Sequence, residues 1–456
     1  MNKDTLQKGD IVELEITTLT AGGRALGRIE NLAVFIDGAL PEQRASARIT
    51  KRKKNFAEAE LLSVLRKAPY EIQPFCKHFT ECGGCSWQHM PYDIQLKWKK
   101  QIVHDALARI GRFENPPVND PLASPRQTFY RNKMEFAFEA DFTGNIKLGL
   151  RAKGSHSVID ICECHLQSER SVRIVDAARQ WANEAPQNAW DPATGTGFFR
   201  YLVVRETLYT DQCMVQLITG PDNSRHKTGL ALGKELGEIL RDTIEGITTY
   251  IHAERSSKTQ VAYAEKTLHI SGERFLTERL GERFFKLAPD AFFQTNTAAT
   301  EVLTKVAADF AQPEGIIWDL YCGVGTMGLP MASRADHVTG IEISQDGIAF
   351  ATENANLQDI HNISFIAGDV RKLLAKQKDD PDIIIVDPPR AGMHPDVVAA
   401  IADRNPRRIV YVSCDPVTQA RDLSLLKDTY QLQCVQPVDM FPHSAHIESV
   451  ALLIRR

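Results

Sequence analysis

The stretch GIIWDLYCGVGTMGL, residues 315–329, sets the terms for the C-terminal third of this chain. Its opening apolar run reads as a short buried strand that Asp319 closes. Gly323 and Gly325 then let the backbone turn tightly beneath a ligand before a helix begins. Glu342 closes the next apolar run, 23 residues after Asp319, an interval at which an acid can accept both hydroxyls of a ribose. HVTGIEI, ISFIAG, DIIIVD and RIVYVS continue the series, each separated from the next by a stretch of helical length. Strands apolar on both faces that alternate with helices predict a parallel, doubly wound sheet. The last runs, LQCVQPVDM and HIESVALLIR, are too close together for a crossover helix and should pair antiparallel at one edge.

The glycines alone do not choose the cofactor. GVGTMG at 323–328 satisfies the G-x-G-x-x-G dinucleotide pattern, so a dehydrogenase stays open on that evidence. DIIIVDPPR puts Asp387 at the end of the fourth strand, followed by two prolines. That arrangement resembles S-adenosylmethionine-dependent methyltransferases and favours methyl transfer over hydride transfer. Enzymes that methylate an exocyclic amine often place an aromatic residue after the prolines, whereas here Arg390 stands there. RNA 5-methylcytosine enzymes commonly carry a cysteine inside this turn, and DPPR has none.

Cys414, in YVSCDP, follows Asp387 by 27 residues, about one helix and one strand. Both should therefore reach the C-terminal rim of adjacent strands, where open α/β sheets bind ligands. Carbon 5 of uracil is a poor nucleophile until a thiolate adds to carbon 6. Cysteine suits that step because even an unperturbed thiol is a few per cent thiolate near neutrality. A base must then remove the hydrogen from carbon 5. FPHSAHIESV offers His443, His446 and Glu448, with the carboxylate as the expected base and the histidines fixing the loop.

The chain totals set outer bounds. Its 456 residues are too many for one ordinary core and predict two or three domains. With no apolar leader and no bilayer-length apolar stretch, a cytoplasmic protein is expected. In that compartment nine cysteines point to metal or catalysis rather than a disulfide framework. The formal net charge of −4 excludes a polycation, so nucleic acid would have to be held by local basic patches.

Residues 1–67 read as a small β-barrel from DIVELEIT, LAVFID and AEAELLSVL, punctuated by glycines. Lys51, Arg52, Lys53 and Lys54 form its one charge run, next to Phe56. It is either a solvated loop or a phosphate-contacting edge. Residues 68–289 read as an α+β domain, with a helix over 93–111 expected to pack on the catalytic domain. FYRNKMEFAFE follows, interleaving aromatics with Arg131 and Lys133 as candidate RNA contacts. Residues 290–456 form the α/β domain. Cys76, Cys82 and Cys85 are spaced C-x5-C-x2-C, and a fourth thiolate would come from Cys162 or Cys164. Spacing leaves zinc and a [4Fe–4S] cluster equally open. Cys213, Cys322 and Cys434 read as packing residues.

Taken together, DLYCGVG, VDPPRAG, SCDP and FPHSAHIE resemble the RNA 5-methyluridine methyltransferases over nearly the whole chain. The likeness is nearest to the ribosomal-RNA members with an N-terminal TRAM domain and an iron–sulfur cluster. That resemblance implies Cys414 as nucleophile and Glu448 as proton acceptor. It implies S-adenosylmethionine contacts from Gln294, Tyr321, Gly323, Gly325, Glu342 and Asp387, with Asp369 on the adenine. Thr326 stands where some members have asparagine. It favours Cys164 as fourth ligand of a [4Fe–4S] cluster. It also implies a monomer acting on a uridine of 23S ribosomal RNA, with transfer RNA as the alternative substrate. A non-catalytic RNA-binding or ribosome-assembly factor is the rival of another class, and Cys414 with Glu448 speaks against it.

Overall fold

A computed structural model describes residues 6–222, 229–377 and 379–456. The N-terminal strands are β1 (Ile11–Leu19), β2 (Ala25–Ile29), β3 (Leu32–Ile36), β4 (Arg44–Arg52) and β5 (Phe56–Arg66), closed in the order β1-β2-β3-β5-β4. Strict alternation explains the closure. Val12, Leu14 and Ile16 point inward from β1, and Ala45, Ala47 and Ile49 from β4, small side chains that suit a narrow interior. The sequence reading names β1, β3 and β5 but passes over β2 and β4; the inward alanines of β4 are flanked by Arg44, Ser46 and Arg48. Lys51 and Arg52 are consequently the end of a strand rather than a loop. Lys53 N–H then donates to Phe56 O at 2.8 Å to turn into β5.

Helix α1 (Tyr92–Arg109) lies close to its expected bounds. Its buried stripe is Gln95, Lys99, Ile102, Val103, Ala106 and Leu107, with two polar side chains where apolar ones would be ordinary. The strands β6 (Lys133–Ala140), β7 (Ile146–Arg151) and β8 (Val158–Asp160) come next, then α2 (Glu169–Glu184), β9 (Phe199–Glu206), β10 (Cys213–Thr219), α3 (Gly229–Thr243), β11 (Ile247–Glu254) and β12 (Lys266–Gly272). These strands form one mixed sheet, ordered β12-β11-β10-β9-β6-β7-β8. A hairpin of β13 (Leu276–Leu280) and β14 (Arg283–Leu287) leads to α4 (Thr297–Ala311).

The C-terminal sheet contains β15 (Ile316–Leu320), β16 (His337–Glu342), β17 (Ile363–Ala367), β18 (Ile383–Val386), β19 (Arg408–Ser413), β20 (Tyr430–Val438) and β21 (Glu448–Arg455). Its order is β17-β16-β15-β18-β19-β21-β20. β15, β16 and β17 are parallel neighbours, whereas β21 is antiparallel to both β19 and β20. The strand order reverses direction after β15, the kind of switch point at which such sheets bind ligands. Helices α6 (Gln345–Leu357) and α8 (Pro395–Arg404) fill two of the connections as expected. The connections after β15 and β17 hold only single α-turns, α5 (Gly328–Met331) and α7 (Val370–Leu373), each followed by a 3-10 turn. After β15 the reason is local, because the glycine turn consumes much of the connection before a helix can start. Helix α9 (Pro416–Ser424) follows β19.

The described residues fall into two compact units. One draws on the described residues of 6–75, 85–124 and 386–456, the other on those of 76–84 and 125–385. Among the described residues no helix is long and apolar enough to cross a membrane.

Candidate active site

In the second unit, the glycine turn and the end of β16 are tied together. Tyr321 takes a left-handed conformation (φ 64°), and its N–H donates to Ile341 O at 2.8 Å. Gly323 and Gly325 are also left-handed, at φ 55° and 86°, where glycine carries no steric penalty. The buried Asp319 accepts from Gly328 N–H at 2.8 Å, which closes the turn from inside. Glu342 accepts from Gly323 N–H at 3.2 Å through one carboxylate oxygen and from Ser344 N–H at 2.9 Å through the other. Its carboxylate is thus fixed in orientation at the strand end. Gly368 N–H donates to Glu342 O at 2.8 Å, bringing the next turn alongside, where Asp369 caps a helical turn by accepting from Arg371 N–H. Phe293 packs in one core with Val324 of the glycine turn, so the neighbouring Gln294 is held near it. Asn132 Nδ2 donates to Gln294 O at 3.0 Å and fixes that loop from the strand side. Thr326 is half-buried.

In the first unit, strand register brings the chemistry together. Ser413 pairs with Ser449 across β19 and β21, so the following Cys414 and the preceding Glu448 come side by side. Asp387 and Arg390 follow β18 and act electrostatically on the same pair. The DPPRAG turn is pinned by α9. Thr418 Oγ1 donates to Arg390 O at 3.2 Å, and Arg421 Nη2 donates to Ala391 O at 3.0 Å and Met393 O at 3.1 Å. Arg390 Nη2 lies 3.4 Å from His446 Nδ1.

The electrostatics are unlike those of free side chains. Burial, then the Glu448 and Asp387 charges, push the Cys414 thiol up to about 11, while Arg390 pulls it the other way. Burial and the carboxylates both work against the thiolate in the resting site. Burial raises the Asp387 carboxyl to about 7. Glu448, fully buried, is held well above the carboxylate range by burial and by Asp387, against Arg390. Two carboxyls driven toward neutrality share protons at ordinary pH, and a base raised in this way is a stronger acceptor once ionised.

The cysteine region belongs mainly to the second unit. Cys82 and Cys164 are buried and Cys76 is half-buried. The three thiols act on one another, and burial raises all of them. Cys85 is buried three residues beyond Cys82. Cys162, by contrast, is exposed, and its Sγ lies 3.3 Å from His78 Nε2. Among the described residues no group of three His, Cys, Asp or Glu side chains is disposed to hold a single metal ion.

The basic residues have partners of their own. Lys51 pairs with Glu58 at 3.2 Å and Lys133 with Glu135 at 3.0 Å, and Arg131 Nε donates to Lys133 O. Lys53 and Lys54 are exposed. Beside them Phe56, which the sequence reading places next to the charge run, is joined by Phe35, which it did not single out. Phe35 lies 5.9 Å from Phe56, with the Arg24 guanidinium 5.3 Å over Phe35.

Residues 230–456 match the family described as tRNA (Uracil-5-)-methyltransferase, and residues 5–62 match the TRAM domain. An uncharacterized RNA methyltransferase of Nitratidesulfovibrio vulgaris is 43% identical over 99% of this chain and 97% of its own length. The chain belongs to the RNA (uracil-5-)-methyltransferase family. A second family member, from Porphyromonas gingivalis, is 36% identical over 97% of this chain and 99% of its own length. Among solved structures of the family, the Pyrococcus abyssi tRNA (uracil-54, C5)-methyltransferase in complex with S-adenosyl-L-homocysteine superposes with a TM-score of 0.78. It is 27% identical and covers 97% of this chain and 100% of its own. The reaction class of the RNA (uracil-5-)-methyltransferases is methyl transfer from S-adenosylmethionine to RNA, and the N-terminal barrel is a TRAM domain.

Proposed function

We propose that this enzyme methylates carbon 5 of a loop uridine through a covalent adduct on Cys414, with Glu448 as proton acceptor. The observation that carries the reading is the β19–β21 register, which sets a thiol and a buried carboxyl side by side. Cys414 loses its thiol proton to solvent as its sulfur bonds to carbon 6, and the enolate so formed attacks the donor methyl through carbon 5. The donor's methyl–sulfur bond breaks and S-adenosylhomocysteine leaves. Glu448 takes the proton from carbon 5, the carbon 5–carbon 6 double bond re-forms, and the thiolate departs. Glu342 holds the ribose of S-adenosylmethionine, since Gly323 and Ser344 fix its carboxylate at the switch point. Gln294, Tyr321, Gly323, Gly325, Thr326, Asp369 and Asp387 complete the cofactor contacts.

Cys76, Cys82, Cys85 and Cys164 would hold a [4Fe–4S] cluster, on the resemblance of the motifs, with zinc the alternative for four thiolates. Burial raises the Cys76, Cys82 and Cys164 thiols, and the three act on one another. Iron and sulfide analysis of anaerobically purified protein tests this, and stoichiometric zinc without sulfide would reject it.

Large-subunit ribosomal RNA is the first substrate candidate, on the resemblance of the motifs to those members. Transfer RNA is the second, because a tRNA uracil-54 enzyme matches the chain along 97% of its length. With that match, the barrel no longer separates the two. Lys51, Arg52, Lys53, Lys54, Arg131 and Lys133 are the candidate phosphate contacts. Mapping 5-methyluridine in both RNAs from cells with and without the gene decides between them, and loss from neither would remove the reading.

A further inference from the structure

The loop of residues 439–447 joins β20 to β21 and delivers Glu448 to the site. It has no regular structure, yet it is held at almost every step. Lys99 Nζ donates to Asp439 Oδ1 at 2.6 Å and to Phe441 O at 3.0 Å, with Lys99 and Asp439 both fully buried. His443 adopts φ 62°, a conformation that costs a non-glycine residue about 1 kcal/mol or more unless its surroundings impose it. They do. His443 N–H donates to Gln95 Oε1 at 2.9 Å, and His443 O accepts from Ser86 N–H at 2.9 Å and Trp87 N–H at 3.0 Å. Gln95 Nε2 lies 3.2 Å from His443 Nδ1 and donates to Met90 O and Trp87 O, so Gln95 is itself locked. On a third side, a Cβ at Gly23 of the barrel would come within 2.2 Å of Ala445 Cβ.

A buried ion pair is a weak source of stability, since well-packed apolar residues often replace one at no loss. What such a pair does supply is a fixed geometry. Gln95 and Lys99 occupy the core stripe of α1, where an apolar side chain would have sufficed for docking the helix. Lys99 spends its ammonium on that loop and Gln95 its carbonyl oxygen, and the loop ends at one carboxylate.

We propose that Gln95 and Lys99 are positioning residues that set Glu448 for removal of the carbon 5 proton, acting through the 439–447 loop. The proposal rests on the reading of Glu448 as that proton acceptor. The test uses RNA carrying 5-tritiated uridine, full-length enzyme, and rapid-quench measurement of both covalent adduct and tritium release. The variants are Gln95→Met and the paired apolar replacement Lys99→Met with Asp439→Leu, the latter chosen to keep the core filled. Both variants should bind S-adenosylmethionine within about twofold of wild type and form the adduct. Tritium release should slow by about 10- to 100-fold, the usual loss for a misplacement near 1 Å, so that adduct accumulates. A role only in stability would lower the melting temperature and reduce both steps together, or neither, and either result overturns the proposal. Glu448→Gln is the control that separates the two claims. If Glu448→Gln releases tritium at the wild-type rate, the assignment of the base has failed, whatever the α1 variants do.

Discussion

The Cys414 thiol offers the sharpest test of the site's electrostatics. It stands at about 11 rather than 9.0, raised by burial, Glu448 and Asp387 and lowered by Arg390. Glu448→Gln removes one negative neighbour and leaves burial in place, so the thiol should titrate about one unit lower, near 10. One unit is ~1.4 kcal/mol of differential interaction, a size suited to a single neighbouring charge. The effect is read where Glu448 acts on the thiol as a negative charge. Near pH 9.5 a group at about 11 is roughly 3% ionised and one at about 10 roughly 24%, so alkylation should speed up about eightfold. Arg390→Gln should do the reverse and slow it. The assay is the pH–rate profile of iodoacetamide modification of the Cys414 peptide, followed by mass spectrometry, with the exposed Cys162 as internal reference. A wild-type midpoint near that of a free thiol would refute the reasoning. So would a Glu448→Gln midpoint that stays put or rises.

Four further outcomes follow from the same geometry. Cys414→Ala should abolish methylation and the adduct trapped with 5-fluorouridine RNA, while calorimetry shows S-adenosylmethionine binding largely retained. Glu342→Ala loses an oriented, charged acceptor worth about 1.5–3 kcal/mol, so cofactor affinity should fall about 10- to 100-fold in the same calorimetric measurement. Replacing Lys53 and Lys54 together by Ala should lower the slope of log affinity against log salt by about 2, and Lys51→Ala by less, because Glu58 already neutralises it. Asp387, raised from 3.8 to about 7, makes the folded protein bind more protons than the unfolded chain between those values. Its contribution to stability is thus present at low pH and lost as pH rises through 7. Asp387→Asn should flatten that fall in chemical denaturation at several pH values, by at most about 4 kcal/mol, less where solvent reaches the carboxyl.

Most of the α/β region was legible in the sequence because its strands are apolar on both faces and end in residues that chemistry needs. Ile383–Val386 is wholly buried and runs straight into Asp387, and Arg408–Ser413 runs into Cys414. The barrel was only half legible. The inward face of β4 is Ala45, Ala47 and Ile49, and alanines between arginines do not announce a strand. The grip on the 439–447 loop was not legible as such, since Gln95 and Asp439 meet their partners across hundreds of residues of chain. A trace was nonetheless present: Gln95 and Lys99 fall in the helical register of Ile102, Val103 and Ala106, and polar residues in a core stripe ask for buried partners. The thiol's raised pKa left no trace at all, because it depends on burial and on two carboxylates brought in by register.

The departure of Cys414 from an ordinary thiol also says how such a site would work. Burial disfavours the charged forms of Cys414, Asp387 and Glu448 alike, while the Arg390 guanidinium acts in the opposite sense on Cys414 and Glu448. A site in which burial disfavours negative charge is poorly solvating for a resting thiolate, which protects it from adventitious electrophiles. The Arg390 guanidinium faces the negative charge when a thiolate and then an enolate develop. Electrostatic stabilisation of that kind acts on the transition state and not on the resting thiol, which is what acceleration of the chemical step requires. The unfavourable ionisation of Cys414 is therefore consistent with catalysis only if negative charge forms together with its bond to carbon 6. On this argument Arg390→Gln should depress adduct formation with RNA far more than it depresses the alkylation of the free enzyme. Equal losses in the two assays would show that Arg390 acts on the thiol alone.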